Sequence, residues 1–316
     1  MFEWEKQRLR KYLPISIIVP TYNRANYLSE TLNAILAQQD QDLEVIVVDD
    51  FSTDDSRIVL ESFKKQYPQI ILVFLDENLG ESNAVNVGWS LASKQFISIV
   101  NSDDPPDKNW LRDMSKEIKT IPDFGFYYPN RLVIDENGIV KRKENLRNWS
   151  TKDLFEKLIP IASAGLIIDK EKLPTDFQPR DPCVDFPSDL IQMFRLGLIT
   201  EGKKVETAFG VWREHSNSIS GNMNARDLAS SFQLSVTDWL TENKLVVDRY
   251  SKKSVRKAYL YGHIFLIFRK QYGLFPCIFF MLRSSLIKDI LRRPFLIISL
   301  TRAILCHAAK RLNISP

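Results

Sequence analysis

Four apolar runs of strand length, separated by stretches of helical spacing, constrain this sequence more than anything else in it. The runs are residues 15–19, 43–48, 70–75 and 96–100, and the helical stretches are 26–38, 54–66 and 81–93. The runs are rich in Ile and Val at successive positions, which suits strands covered on both faces. That is the environment of a parallel sheet flanked by helices. Ligands of such sheets bind beyond the carboxyl ends of the strands, where the loops open onto a crevice.

Three of the runs end in polar clusters. The first passes into Pro20-Thr21-Tyr22-Asn23-Arg24, the second into Asp49-Asp50-Phe51-Ser52-Thr53-Asp54, and the fourth into Asn101-Ser102-Asp103-Asp104-Pro105-Pro106-Asp107. Ser and Asp are also common helix caps, as Ser52 or Asp54 would be here. Three clusters at three strand ends of one sheet nevertheless converge on one face. Adjacent carboxylates such as Asp103 and Asp104 repel each other in a cleft unless a cation compensates. Their hard oxygens suit Mg²⁺ or Mn²⁺ bridging to phosphate. Asp49 and Asp50 are placed to accept hydrogen bonds from a base or ribose. Neither GxGxxG nor GxxxxGK[ST] occurs, so the chain lacks the phosphate cradle of dinucleotide-binding and P-loop proteins.

Beyond residue 107 the alternation weakens. Strands are expected at 124–128 and 132–141, the second carrying a Glu-Asn-Gly turn, and at 161–168 and 204–212. Helices are expected at 152–158 and 188–196. These elements complete one α/β domain, residues 1–222. Residues 223–316 read as helical, with apolar runs at 275–282 and 295–305 broken by Arg and Lys and too short to span a bilayer. From 251 onward there are thirteen Lys and Arg against one acid, Asp289, a net +12 that leaves −8 on residues 1–250. Basic amphipathic helices of this kind suit an anionic membrane surface; a solvated face on a helical packing domain is the alternative. The first fourteen residues have no apolar core of a signal peptide. Three scattered cysteines fit a reducing compartment rather than a disulfide framework. The expected location is therefore cytoplasmic, peripheral at the inner membrane face.

The strings IIVPTYNR (17–24), VVDDFSTDDS (47–56), NLGESNAVNVG (78–88) and SDDPPD (102–107), in this order and spacing, resemble the family 2 glycosyltransferases. Ser163-Ala164-Gly165, Asp189 with Arg195 and Gly197, and WREHSNSIS (212–220) extend the likeness to about residue 220. The resemblance implies a GT-A fold: a mixed, largely parallel sheet between helices. It also implies a divalent-metal-dependent inverting transfer from a nucleoside-diphosphate sugar to a hydroxyl of a glycan or lipid-linked saccharide. On this reading Pro20, Tyr22, Asn23, Arg24, Asp49, Asp50, Asn78, Gly80, Asn86, Ser102 and Asp103 bind the donor, Asp50 holding the base and Asp103 the ribose side. Asp104 and His215 serve the Mg²⁺ or Mn²⁺. Asp189 is the general base, with Asp185 one helical turn earlier as its rival. Arg213, Ser163 and Gly165 are candidate diphosphate or acceptor contacts.

Two positions depart from the family pattern. Val85 stands where many members have arginine, and Asn101 where many have aspartate. A sugar nucleotidyltransferase would need a Gly- and Arg-rich loop after the first strand, which PTYNRANY is not. A non-catalytic binding protein of the same fold would have little reason to keep Asp50, Asp103, Asp104, Asp189 and His215 together. The basic tail carries no nucleic-acid reading motif.

Overall fold

The computed structural model describes residues 13–38, 42–148, 150, 163–182 and 188–215, all within one compact unit. The helix expected at 152–158, the rival base Asp185 and the whole region from 223 lie outside the described residues. Among the described residues no helix is long and apolar enough to cross a membrane.

The four apolar runs are strands β1 (Ile15–Thr21), β2 (Leu43–Asp49), β3 (Ile71–Phe74) and β4 (Phe96–Ile99). They lie parallel in the order β3-β2-β1-β4, with β1 buried at every position because helices cover both faces. The connecting helices are α1 (Ala25–Leu36), α2 (Ser56–Gln66) and α3 (Glu81–Leu91). Leu28, Leu32 and Ile35 of α1 are spaced to pack as one stripe against Ile15, Ile17 and Val19. At about 25 cal/mol per Å² of apolar surface, such burial is the main source of stability here.

Past β4 the sheet turns antiparallel. A short β7 (Ile167–Asp169) joins β4 to β5 (Phe126–Ile134), and β8 (Gly202–Arg213) runs parallel to β5 along its other edge. The strand expected at 124–128 and the start of that expected at 132–141 form one strand, β5, and the end of the second passes into β6 (Val140–Glu144). Their turn includes the anticipated Asn137-Gly138, with Gly138 at φ 80°. The strand expected at 161–168 is confined, among the described residues, to β7. Residues 163–166 instead form a turn whose Gly165 has φ 76°. Helix α4 (Trp110–Thr120), which the sequence reading had not anticipated, buries Trp110, Leu111, Met114 and Ile118 under the sheet. Helix α5 (Ser188–Ile199) stands where a helix was expected and precedes β8.

Candidate active site

The loops after β1 and β2 are tied together by Asn23. Its Oδ1 accepts from the Thr53 N–H (2.7 Å) and the Asp54 N–H (3.2 Å), and its own N–H donates to Ser52 Oγ (2.9 Å). Asn23 has φ 52° and Phe51 φ 63°, a left-handed conformation that costs a residue other than glycine on the order of 1–3 kcal/mol. That conformation leaves Phe51 half exposed at the end of β2, while Tyr22 stands 42% exposed at the end of the neighbouring β1. Asn23 is thus a loop fastener, and Phe51, which the sequence reading passed over, is the aromatic face on offer beside Tyr22.

Asp50 is buried, and its two carboxylate oxygens accept from the Leu79 N–H (2.7 Å) and the Gly80 N–H (2.9 Å). It therefore anchors the start of α3, with Gly80 at φ 86°. Asp49 receives the Ser52 N–H at 3.2 Å. Pro20 and Ser102 are buried, and Asn78 is exposed. Asn86 faces a residue that the sequence reading did not single out. Its Nδ2 donates to the Arg180 carbonyl (3.1 Å) and its Oδ1 accepts the Arg180 N–H (3.1 Å). The neighbouring Val85 is buried, so the guanidinium in this region is that of Arg180.

After β4, the two adjacent aspartates part company. Asp104 is buried, with Oδ1 accepting the Arg213 N–H (2.7 Å) and Oδ2 the amide of Asn101 (2.9 Å). Burial, reinforced by the charge of Asp103, pushes its carboxyl up to about 8. Asp103 is instead partly exposed, its side chain 15%. Its Oδ2 accepts from Arg24 Nε (3.2 Å) and lies 3.0 Å from His215 Nε2. The His215 ring is held beside Tyr27, with centroids 4.8 Å apart. Arg213, a candidate diphosphate contact from sequence, is nearly fully buried. Its guanidinium donates to Glu30 Oε2 (2.5 Å) and to the carbonyls of Asp103 (2.8 Å) and Glu136 (2.9 Å). Its task is to fasten the loop after β4 to β8.

Asp189 sits in the first turn of α5, where its Oδ1 accepts the Leu190 N–H (2.9 Å) and its Oδ2 the hydroxyl of Ser163 (3.1 Å). The turn bearing Ser163 is pinned by Trp110, whose indole donates to the Gly165 carbonyl at 2.9 Å. A Cβ on Gly165 would stand 2.8 Å from Gly210 Cα, and one on Gly210 only 1.9 Å from the Ala164 carbonyl oxygen. Gly165 is therefore a packing requirement. Beneath this turn a cavity is lined by Asn101, Asp104, Ser163, Gly165, Arg180 and Gln192 together with apolar side chains.

Residues 16–168 match the family model described as glycosyl transferase family 2. An uncharacterized glycosyltransferase of Nostoc sp. is 38% identical over 177 residues, 54% of this chain and 55% of its own. The chain thus spans about half the length of that relative. A protein of Bacillus subtilis named for teichuronic acid biosynthesis, the glycosyltransferase TuaG, is 28% identical over 66% of this chain and 82% of its own. Among solved structures, S. aureus TarS 1-349 in complex with UDP-GlcNAc superposes with a TM-score of 0.55 at 21% identity. That match covers 75% of this chain and 71% of TarS 1-349. The mannosyltransferase PcManGT of Pyrobaculum calidifontis, in complex with GDP-Man and Mn²⁺, gives 0.55 at 16% identity, over 95% and 87%. These superpositions bear on fold, and the mixed, largely parallel GT-A sheet is common to them.

Proposed function

This chain belongs to glycosyl transferase family 2 through residues 16–168, and on that premise we propose that it transfers a sugar from a nucleoside diphosphate to a hydroxyl of a saccharide acceptor, with inversion. The observation that carries this reading is the pairing of Asp103, after β4, with His215, after β8. Asp103, not Asp104, is the carboxylate we assign to the divalent cation. Asp104 is buried with both oxygens accepting hydrogen bonds, whereas the hydrogen bonds that reach Asp103 fall on Oδ2 alone. The donor types fit: a hard carboxylate oxygen from Asp103 and an imidazole nitrogen from His215 would hold such an ion. Two protein ligands suffice where diphosphate and water complete the shell. Mg²⁺ or Mn²⁺ bound there supplies Lewis acidity to the departing diphosphate.

The remaining steps belong to the chain's own groups. Tyr22 and Phe51 offer aromatic faces to the base at the ends of β1 and β2. Arg24 orients Asp103. Asp189, with Ser163 fixing one oxygen, accepts the proton of the attacking hydroxyl. One such base and one displacement invert the anomeric carbon; a covalent sugar intermediate would need a second carboxylate as nucleophile. The named activities of the relatives, teichuronic acid biosynthesis among them, suggest a cell-surface glycan as acceptor. The +12 charge of residues 251–316 suggests that this acceptor is reached at an anionic membrane.

The test is a thermal-shift panel of UDP, dTDP, GDP and CMP, each with and without Mn²⁺, on wild type and Asp103→Asn. A ligand at 100 times its Kd stabilises by about 2.7 kcal/mol. Metal-dependent stabilisation by one nucleoside diphosphate, lost in the variant, is expected. No response to any nucleotide would refute the reading.

A further inference from the structure

We propose that Arg180 and Gln192 form the sugar-binding end of the donor site and select a neutral, hydroxyl-bearing sugar over an acidic one. This rests on the transfer reading above.

Arg180 is a buried arginine, its side chain 3% exposed, held in place by α3. Asn86 grips its backbone from both sides, and Glu81 Oε1 accepts from Nη2 at 3.1 Å. Glu81 is itself fixed by the Ser188 hydroxyl, which bonds its other oxygen. Among the described residues, however, Arg180 Nε and Nη1 meet no acceptor, and Gln192 Oε1, equally buried on α5, meets no donor. Both side chains line the cavity that Asn101, Asp104 and Ser163 also line. A buried polar group left unsatisfied costs on the order of 1–3 kcal/mol, more when it is charged. Unsatisfied donors and an unsatisfied acceptor held in one cavity point to a ligand that supplies their partners.

The ligand's chemistry follows from what is missing. A sugar hydroxyl both accepts and donates, so hydroxyls can take the Arg180 N–H groups and give a proton to Gln192 Oε1. A carboxylate or phosphate only accepts. It would satisfy Arg180 but leave Gln192 Oε1 orphaned. It would also bring a further negative charge next to a guanidinium already neutralised by Glu81, and close to Asp189. Placement agrees with this. Asp104 adjoins Asp103 in the chain and lines the cavity, so a sugar joined to a diphosphate at Asp103 and His215 extends into it.

Calorimetric titration of the full chain with Mn²⁺ tests the idea, using UDP and GDP against UDP-glucose, UDP-GlcNAc, GDP-mannose and UDP-glucuronate. A neutral sugar nucleotide should bind at least tenfold more tightly than its parent diphosphate. Arg180→Gln and Gln192→Met should each abolish that increment while keeping diphosphate affinity within twofold, which also reports an intact fold. If Arg180→Gln loses diphosphate binding as well, Gln192→Met decides. The proposal is overturned if the sugar adds no affinity, if its increment survives Gln192→Met, or if UDP-glucuronate binds most tightly. All three outcomes leave the transfer reading standing. If no nucleotide binds at all, the transfer reading itself has failed and this inference with it.

Discussion

Asp103 Oδ2 lies 3.0 Å from His215 Nε2 across 112 residues of chain, and Arg24 Nε donates to the same oxygen at 3.2 Å. Three strand ends meet at one carboxylate atom. Arg24 follows β1, Asp103 follows β4, and His215 follows β8, which reaches the crevice only because Arg213 clamps it to the loop after β4.

Replacing each aspartate in turn should give opposite results. Asp104→Asn keeps a near-isosteric group whose oxygen can still accept the Arg213 N–H, so we expect the melting temperature within a few degrees of wild type and the Mn²⁺ response retained. Asp103→Asn removes the charge that faces His215 and should abolish the Mn²⁺-dependent part of nucleotide stabilisation. Loss of the response in Asp104→Asn alone would reverse the assignment.

Asp189→Asn should lower kcat by about 10²–10⁴, the usual contribution of a general base, with nucleotide affinity unchanged because the hydrogen bonds of Asp189 run to Ser163 and Leu190. Ser163→Ala frees one carboxylate oxygen without removing the base, so its cost should be roughly a single hydrogen bond, about tenfold in kcat. Single-turnover kinetics alongside nucleotide titration separates the two effects. Equal losses in kcat and nucleotide affinity for Asp189→Asn would argue for a structural role.

The parallel half of the fold was legible because burial on both faces writes itself into continuous Ile and Val runs, and the strand ends announced the crevice. Assigning tasks within the clusters was harder, because residue type does not say which way a side chain turns. Asp103 and Asp104 are identical in sequence terms, yet one faces His215 and the other accepts from the Arg213 backbone. Asn23, Asp50 and Asn86 read as ligand contacts, and the structure adds that each fastens a loop. Arg180 carried no motif at all. It matters through burial and unmet hydrogen bonds, which only three dimensions reveal. Helix α4 could have been found, since Trp110, Leu111, Met114 and Ile118 keep helical spacing.

Gly210→Ala tests whether the turn bearing Ser163 is held by close packing. The added Cβ would stand 1.9 Å from the Ala164 carbonyl oxygen, which is backbone and cannot swing aside like a side chain. Either β8 or the turn must move, and overpacking of this kind costs about 1–3 kcal/mol or more. We expect a lower melting temperature together with a fall in kcat, since Ser163 orients Asp189 from that turn. A variant with wild-type stability and turnover would show that the turn is free to shift.

Tyr127 provides a pH-dependent test of the core far from the crevice. Its ring is fully buried in β5 and its hydroxyl donates to the Ile121 carbonyl at 2.6 Å, closing the corner after α4. Burial, with smaller contributions from nearby carboxylates, pushes the phenol up to about 12. Between pH 10 and 12 the unfolded chain therefore gives up the Tyr127 proton while the folded chain keeps it. Stability must fall as pH rises through that window and level off above it. Tyr127→Phe should be less stable below pH 10 by about 1 kcal/mol, for the lost hydrogen bond, yet lose less as pH climbs. Urea unfolding of both proteins at pH 9 to 11.5 measures this, because every other alkaline titration cancels in the difference. Parallel curves would mean that the phenol ionises as easily in the folded protein as in the unfolded one, and that the corner does not depend on its proton.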